Sequence, residues 1–389
     1  MNGMNKRWLW GGLLALGLGA TLTFLIIRTP PKSVESVAVG AALGGNDNVG
    51  YQRADQLRPF HFPADHGPHP EFRNEWWYVT GNLADAADRQ FGYQLTLFRI
   101  ALSPDQPATD SAWRTHQVYM GHFALTDVRG EKHQGFERFS RGAVGLAGAQ
   151  ATPFRVWLED WALSGTEATT WPMRLRAQEG GVALDLTLQA GKPVVLQGDQ
   201  GLSQKNAAPG NASYYYSHTR LPTQGTVSIH GQRFTVSGAS WLDREWSTSA
   251  LGPEQSGWDW FALQLDDGRD LMFYRLRHKN GGMDAFSTGV LVNAQGLAQI
   301  LRRDAVDLQP LGEWISPQTG DRYPAAWRLH LPGEKLDLTV TPKVVDQEMR
   351  LTVRYWEGAV TISGHAGERP IRGQGYLEMT RYEPSAPFR

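Results

Sequence analysis

Cysteine is absent from the 389 residues. Disulfides, thiolate metal sites, cysteine nucleophiles and lipid attachment through cysteine are thereby excluded, although an oxidising compartment is not. An excess of either charge is also missing, since 38 basic residues face 39 acidic ones. No basic stripe of the kind that grips a nucleic acid follows from such a balance, so no nucleic-acid partner is expected. Long helical periodicity is lacking beyond the N-terminal region, as are Gly-x-Ser-x-Gly and a phosphate loop ending in Lys and Ser or Thr. His61, His66 and His69 lie in a proline-bearing loop without His-Glu-x-x-His spacing, and neither a metal nor an organic cofactor is expected. What the chain does have is 43 glycines, 22 prolines, 15 tryptophans and a 41% hydrophobic content. Turns are abundant, and there is ample material for a core.

Residues 8–27 form one uncharged apolar run, preceded by Lys6 and Arg7 and followed by Arg28 and Lys32. About 20 apolar residues match the hydrocarbon thickness of a bilayer, whereas the apolar part of a cleaved signal is nearer ~7 to 15. Residues 1–28 are therefore predicted to be a membrane anchor or signal segment. The expected location is a bacterial-type cell membrane, single-pass, with the folded body in the periplasm or extracytoplasmic space. Cleavage, with small residues at 38–41 as the candidate, would make the protein secreted instead. Residues 29–58 read as a linker.

Downstream, short alternating runs recur between Gly, Asp and Asn breaks, for example 76–83, 91–100, 119–128, 154–163, 182–189, 258–265, 271–277, 336–341 and 375–382. This is the pattern of barrels and sandwiches, and it predicts an all-β fold. The halves echo one another. Trp76-Trp77-Tyr78 leads through Leu83 and Asp85 to Arg89, and Trp258-Asp259-Trp260 leads through Leu265 and Asp267 to Arg269. Two comparable β domains are expected, at 59–225 and 226–389.

Several stretches resemble one family: His69-Pro-Glu-Phe-Arg-Asn-Glu-Trp-Trp-Tyr78, Gly121-His-Phe-Ala-Leu-Thr-Asp127, Val156-Trp-Leu-Glu-Asp-Trp161, Tyr214-Tyr-Tyr-Ser217, Ser240-Trp-Leu-Asp-Arg-Glu-Trp246, Trp258-Asp-Trp-Phe-Ala-Leu-Gln-Leu265 and Gly375-Tyr-Leu-Glu378. Together they are similar to the lipocalin-like AttH and carotenoid 1,2-hydratase family, many of whose bacterial members are described as predicted secreted hydrolases. The resemblance implies two consecutive lipocalin-like, calycin-type β-barrel or sandwich domains with a ligand cavity near their junction. It also implies a large hydrophobic ligand, isoprenoid or polyene-like. The chain departs from the hydratase pattern twice, with Arg244 in place of a His and Leu276 in place of an Asp.

The residues make chemical sense of such a ligand. Alternate side chains on a strand share a face, so Arg73, Glu75 and Trp77 oppose Trp76 and Tyr78, while Asp243 and Glu245 oppose Arg244 and Trp246. Asp259 is on the face opposite Trp258 and Trp260. A carboxyl held against indoles loses hydration, so its pKa rises and the neutral form that can donate a proton persists to higher pH. Glu75, Asp243, Glu245, Asp259 and Tyr274 are the candidate catalytic groups. Arg73, Trp76, Trp77, Tyr78, His122, Arg244, Trp246, Trp258 and Trp260 are the candidate ligand-binding groups. The expected chemistry is cofactor-independent, acid-catalysed hydration or cyclisation. Two alternatives stand beside it: a non-catalytic lipid carrier with a membrane-transporter partner, and a secreted hydrolase using Ser217 or Ser247 with His218 or His122. Structural ion pairs involving Glu75 and Arg73, or Asp243 and Arg244, are the plainer reading of the same charges.

Overall fold

The computed structural model describes residues 48–105, 108–248 and 251–382. The run at residues 8–27 lies outside them, and among the described residues no helix is long and apolar enough to cross a membrane. Among the described residues strand accounts for 60% and helix for 3%, so the tertiary structure is made almost entirely by sheet packing.

The first sheet contains β1 (Asn74–Asp85), β2 (Gln90–Ala101), β3 (Gln117–Asp127), β4 (Lys132–Arg141), β5 (Ala147–Gln150), β6 (Arg155–Leu158), β7 (Trp161–Ser164), β8 (Met173–Glu179), β9 (Val182–Leu188), β10 (Val195–Leu196), β11 (Leu202–Gln204), β12 (Ala212–Ile229) and β13 (Gln232–Ser247). The second contains β14 (Gln255–Leu265), β15 (Asp270–His278), β16 (Thr288–Val292), β17 (Ala298–Arg302), β18 (Asp307–Ile315), β19 (Arg322–Leu331), β20 (Leu336–Pro342), β21 (Glu348–Arg350), β22 (Arg354–Ala366) and β23 (Arg369–Thr380). Both sheets are antiparallel and curl on themselves. Their orders are β4-β3-β2-β1-β13-β12-β9-β8-β7-β6-β5 and β17-β16-β15-β14-β23-β22-β20-β19-β18.

Burial separates two kinds of strand. β8 and β9 alternate buried and more exposed residues, as expected with one face on a core and one on water. Nearly every residue of β1, β14 and β15 is buried, because each of these strands faces its own core on one side and the other sheet on the opposite side. On β1, Trp77, Val79 and Leu83 point into the first core, with Leu95, Phe123 and Leu175. Phe261, Leu263, Trp327 and Leu338 belong to the second. A third cluster lies between the sheets, where Tyr78, Tyr215 and Trp241 meet Trp260, Met272 and Tyr376. Close approach is possible because Gly92 lacks a side chain: a Cβ there would sit 2.4 Å from that of Ala359. Asn82 donates to the Gly375 carbonyl at 2.9 Å, and Thr126 donates to Gln347 at 2.8 Å.

Two expected boundaries move. Position 225 falls inside β12, with Gly225 paired to Val236, and the change of sheet comes between Ser247 and Gln255. The long hairpin of β12 and β13 carries both strands across this position. The expected linker at 29–58 is folded onto the body over its described part, 48–58. Ala54 is fully buried with Phe72, Tyr214 and Trp246, and Arg53 donates to the Gly210 carbonyl.

Candidate functional site

The echoing hairpins come together. In each, an aspartate side chain accepts the backbone N–H of the arginine across the turn, Asp85 for Arg89 and Asp267 for Arg269. On the inter-sheet face, Trp76 and Tyr78 of β1 oppose Trp258 and Trp260 of β14 around a cavity of about 140 Å³. Tyr78 and Trp260 meet edge-on with ring centroids 5.0 Å apart. Phe98, Met120, Leu276 and Tyr355 complete much of the apolar wall.

Strand parity decides which candidates reach this space. Trp76, Tyr78, His122, Asp243, Glu245, Trp258, Trp260 and Tyr274 line it. Glu75, Trp77, Arg244, Trp246 and Asp259 do not, because each occupies the opposite face of its strand. Arg73, just before β1, donates to Asn48 at 3.3 Å instead. The excluded charged groups form buried ion pairs. Glu75 is gripped by both Arg99 and Arg244 and accepts the His69 backbone N–H at 3.0 Å. Burial would raise its pKa, but the two guanidinium groups prevail and hold it well below the usual carboxylate range. Arg244 lies 3.9 Å above the Trp77 ring, and His69 stacks on Trp246 at 3.7 Å. Asp259 likewise pairs with Arg277 and accepts the Tyr382 hydroxyl at 2.8 Å. The register is alike too, with Glu75 opposite Arg99 and Asp259 opposite Arg275, whose guanidinium lies 3.8 Å from it.

Inside the cavity the carboxyls are differently placed. Asp243 is 2% exposed and accepts three hydrogen bonds, from Ser217 at 2.5 Å, Tyr215 at 2.6 Å and Trp241 at 2.7 Å. Loss of hydration, reinforced by the nearby Glu245, outweighs these donors and pushes its pKa up to about 7. Glu378, on β23 of the second sheet, accepts Trp258 Nε1–H at 2.7 Å through Oε1. Its pKa is also pushed up to about 7, by burial and then by the charges of Asp243, Glu245 and Asp259. Deeper still, Glu357 accepts the Tyr78 hydroxyl at 2.6 Å, and burial followed by Glu378 raises its pKa strongly. Lys205 supplies the ammonium of the lining, 3.1 Å from Glu245 and 4.4 Å from the Tyr274 ring centre. Burial would depress its pKa, but Glu245 and Tyr274 keep it raised.

Glu378, Lys205 and Tyr215 were not among the residues selected from sequence. Glu378 carried a legible signal, a carboxylate in phase with Tyr376 on an apolar strand. Lys205 lies between β11 and β12 and carried none. The Ser–His alternative loses its Ser217 form. That hydroxyl is held by Asp243 and Gln197, His218 is on the other face of β12 against His66, and His122 is bonded to Tyr355 and Glu137.

A family model described as AttH-like matches residues 53–382. The chain belongs to the AttH-like family. A crystal structure assigned to AttH from Nitrosomonas europaea shares 34% identity with this AttH-like chain. The match covers 83% of this chain and 97% of that one, with a TM-score of 0.72. A kievitone hydratase from Nectria haematococca shares the fold at 16% identity and TM-score 0.64, covering 87% and 97% of the two chains. No curated protein gives a significant sequence match. Relative to the hydratase pattern, Leu276 leaves an apolar wall where an Asp was expected. Arg244 is turned away from the cavity and bound to Glu75.

Proposed function

We propose that this AttH-like protein binds the alkene-bearing end of a hydrophobic, isoprenoid-like molecule and adds water across it, or cyclises it, by acid catalysis without a cofactor. The observation that carries the reading is the meeting of Asp243 from one sheet and Glu378 from the other at a single aromatic cavity. Two carboxyls that each resist ionisation share a proton readily near neutrality, so one can act as acid while the other acts as base.

Glu378 is the proton donor, because Trp258 holds only one of its oxygens and the other can carry the proton. Transfer to the less substituted alkene carbon consumes the π pair in a new C–H bond and leaves a tertiary cation. Indole faces of Trp76, Trp258 and Trp260 stabilise such a cation by roughly 0.5–2 kcal/mol each. Water attacks the cation, and ionised Asp243 takes the proton released, giving an alcohol. Tyr215 and Ser217 orient Asp243, and a proton returned to Glu378 closes the cycle. In cyclisation a second alkene attacks in place of water, and Asp243 removes a proton from the carbon next to the resulting cation, whose C–H pair forms a new double bond.

Size supports an end-on substrate. A cavity of about 140 Å³ is close to the roughly 150 Å³ apolar cavity that admits benzene, which also suits a five-carbon isoprenoid tip. The fold shared with a kievitone hydratase agrees with this reading. Native mass spectrometry of protein purified from its own host should reveal a bound apolar molecule. Incubating that molecule with fresh enzyme in oxygen-18 water should place the label in an uncleaved alcohol. Label in a cleaved product would indicate a hydrolase, and binding without any product would indicate a carrier.

A further inference from the structure

Four of the large apolar side chains left at the surface gather at one end of the first sheet. Leu102 is 66% exposed and Trp113 53% exposed between β2 and β3, while Phe139 is 51% and Val144 49% exposed at and beyond the end of β4. Hydrogen bonds from Leu102 N to His116 O and from Gly142 N to Gln117 O tie these segments together. The same end carries the cavity, whose lining includes Asn74 at the start of β1, Phe98 near the end of β2 and Ser247 at the end of β13.

The chain also reaches the body here. Gly50 is so close to Pro104 that an added Cβ would lie 2.7 Å from it, and Gln52 N donates to Glu71 O at 2.9 Å. Upstream of Asn48, 20 residues separate the described body from the apolar run at 8–27. Whatever their conformation, they span at most ~70 Å. Exposed charges around the apolar groups are balanced, with Arg114 and Arg141 accompanied by Asp105 and Asp110.

We propose that this end of the first sheet rests on a lipid bilayer, with Leu102, Trp113, Phe139 and Val144 at the headgroup boundary, so that the cavity fills from the membrane. Tryptophan and aliphatic side chains favour that boundary, and the balanced charge makes the contact apolar rather than electrostatic. The proposal rests on the hydration reading only for what is taken up. Its test needs no turnover, so each can fail without the other.

Because the natural chain has no cysteine, single reporters are clean. Full-length Leu102→Cys, Trp113→Cys and Leu297→Cys chains, made cell-free with phosphatidylcholine vesicles, are labelled with an environment-sensitive maleimide dye. Leu297 is the control: it is 71% exposed but sits beside the turn joining β16 and β17, distant along β14 from Trp258. Brominated phosphatidylcholine should quench the dyes at 102 and 113 severalfold more than the dye at 297, with blue-shifted emission at the first two. Equal quenching at all three positions, or none at 102 and 113, would overturn the proposal.

Discussion

Replacing Asp243 by Asn tests the carboxyl that the mechanism uses as its base. The amide keeps one acceptor for Ser217 and Trp241, and Tyr215 can turn its hydroxyl to accept from the new NH₂, so the loss of hydrogen bonding is about 1 kcal/mol. The larger consequence is electrostatic. Folding lifts the Asp243 pKa from 3.8 to about 7, and about 3 units correspond to about 4 kcal/mol. Since the folded pKa is the higher, the folded chain holds this proton more tightly. The associated stability is fully present below about pH 4 and is lost progressively as pH rises through about 7. Asn cannot titrate, so Asp243→Asn should lack this decline. Urea denaturation followed by tryptophan fluorescence, at constant ionic strength from about pH 4 to about pH 8, gives the two curves. The advantage of wild type over the variant should shrink by about 4 kcal/mol across that range, and reverse its sign if it is small at the acid end. Parallel curves would refute the reasoning, because Asp243 would then titrate alike in the folded and unfolded chains.

Glu75→Gln should act in the opposite pH direction and more severely at neutrality. It leaves Arg99 and Arg244 buried without their carboxylate, at about 3–5 kcal/mol, and thermal unfolding at pH 7 should show the loss. The loss should fade as pH falls below the ordinary glutamate range, where the unfolded carboxylate protonates. Tyr215→Phe removes a hydrogen bond that lowers the Asp243 pKa, so the carboxyl titration seen by infrared difference spectroscopy should move upward. Gly92→Leu would drive a side chain into Ala359 and separate the sheets, with an expected loss of about 1–3 kcal/mol in chemical denaturation. Glu378→Gln should retain the bound molecule in native mass spectra but stop oxygen-18 incorporation, since only the proton donor is removed.

Much of the fold is legible because sheet formation leaves a local signature. Alternation in Val182–Leu188 and the acidic turns after Leu83 and Leu265 read directly as strands and hairpins. Elsewhere local pattern misled. The single run expected at 154–163 is two strands, β6 and β7, separated by a tight turn at Glu159, whose φ is +57°. The boundary expected at 225 lies within an 18-residue strand, Ala212–Ile229. Tyrosines at 214–216 showed no periodicity, because β12 is covered on both faces there, by Trp246 and Phe60 on one and by Trp260 on the other.

For the site, sequence alone determined composition and parity: indoles and carboxyls on adjacent positions of β1, β13 and β14, with alternate members on opposite faces. A chain read in one dimension does not say which face is which. Packing of the second sheet against the first made Trp76, Asp243 and Trp258 cavity groups, and consigned Trp77, Arg244 and Asp259 to the cores. Only that packing could bring Glu378 beside Asp243, 135 positions apart, and remove enough water to raise the pKa of both carboxyls to about 7.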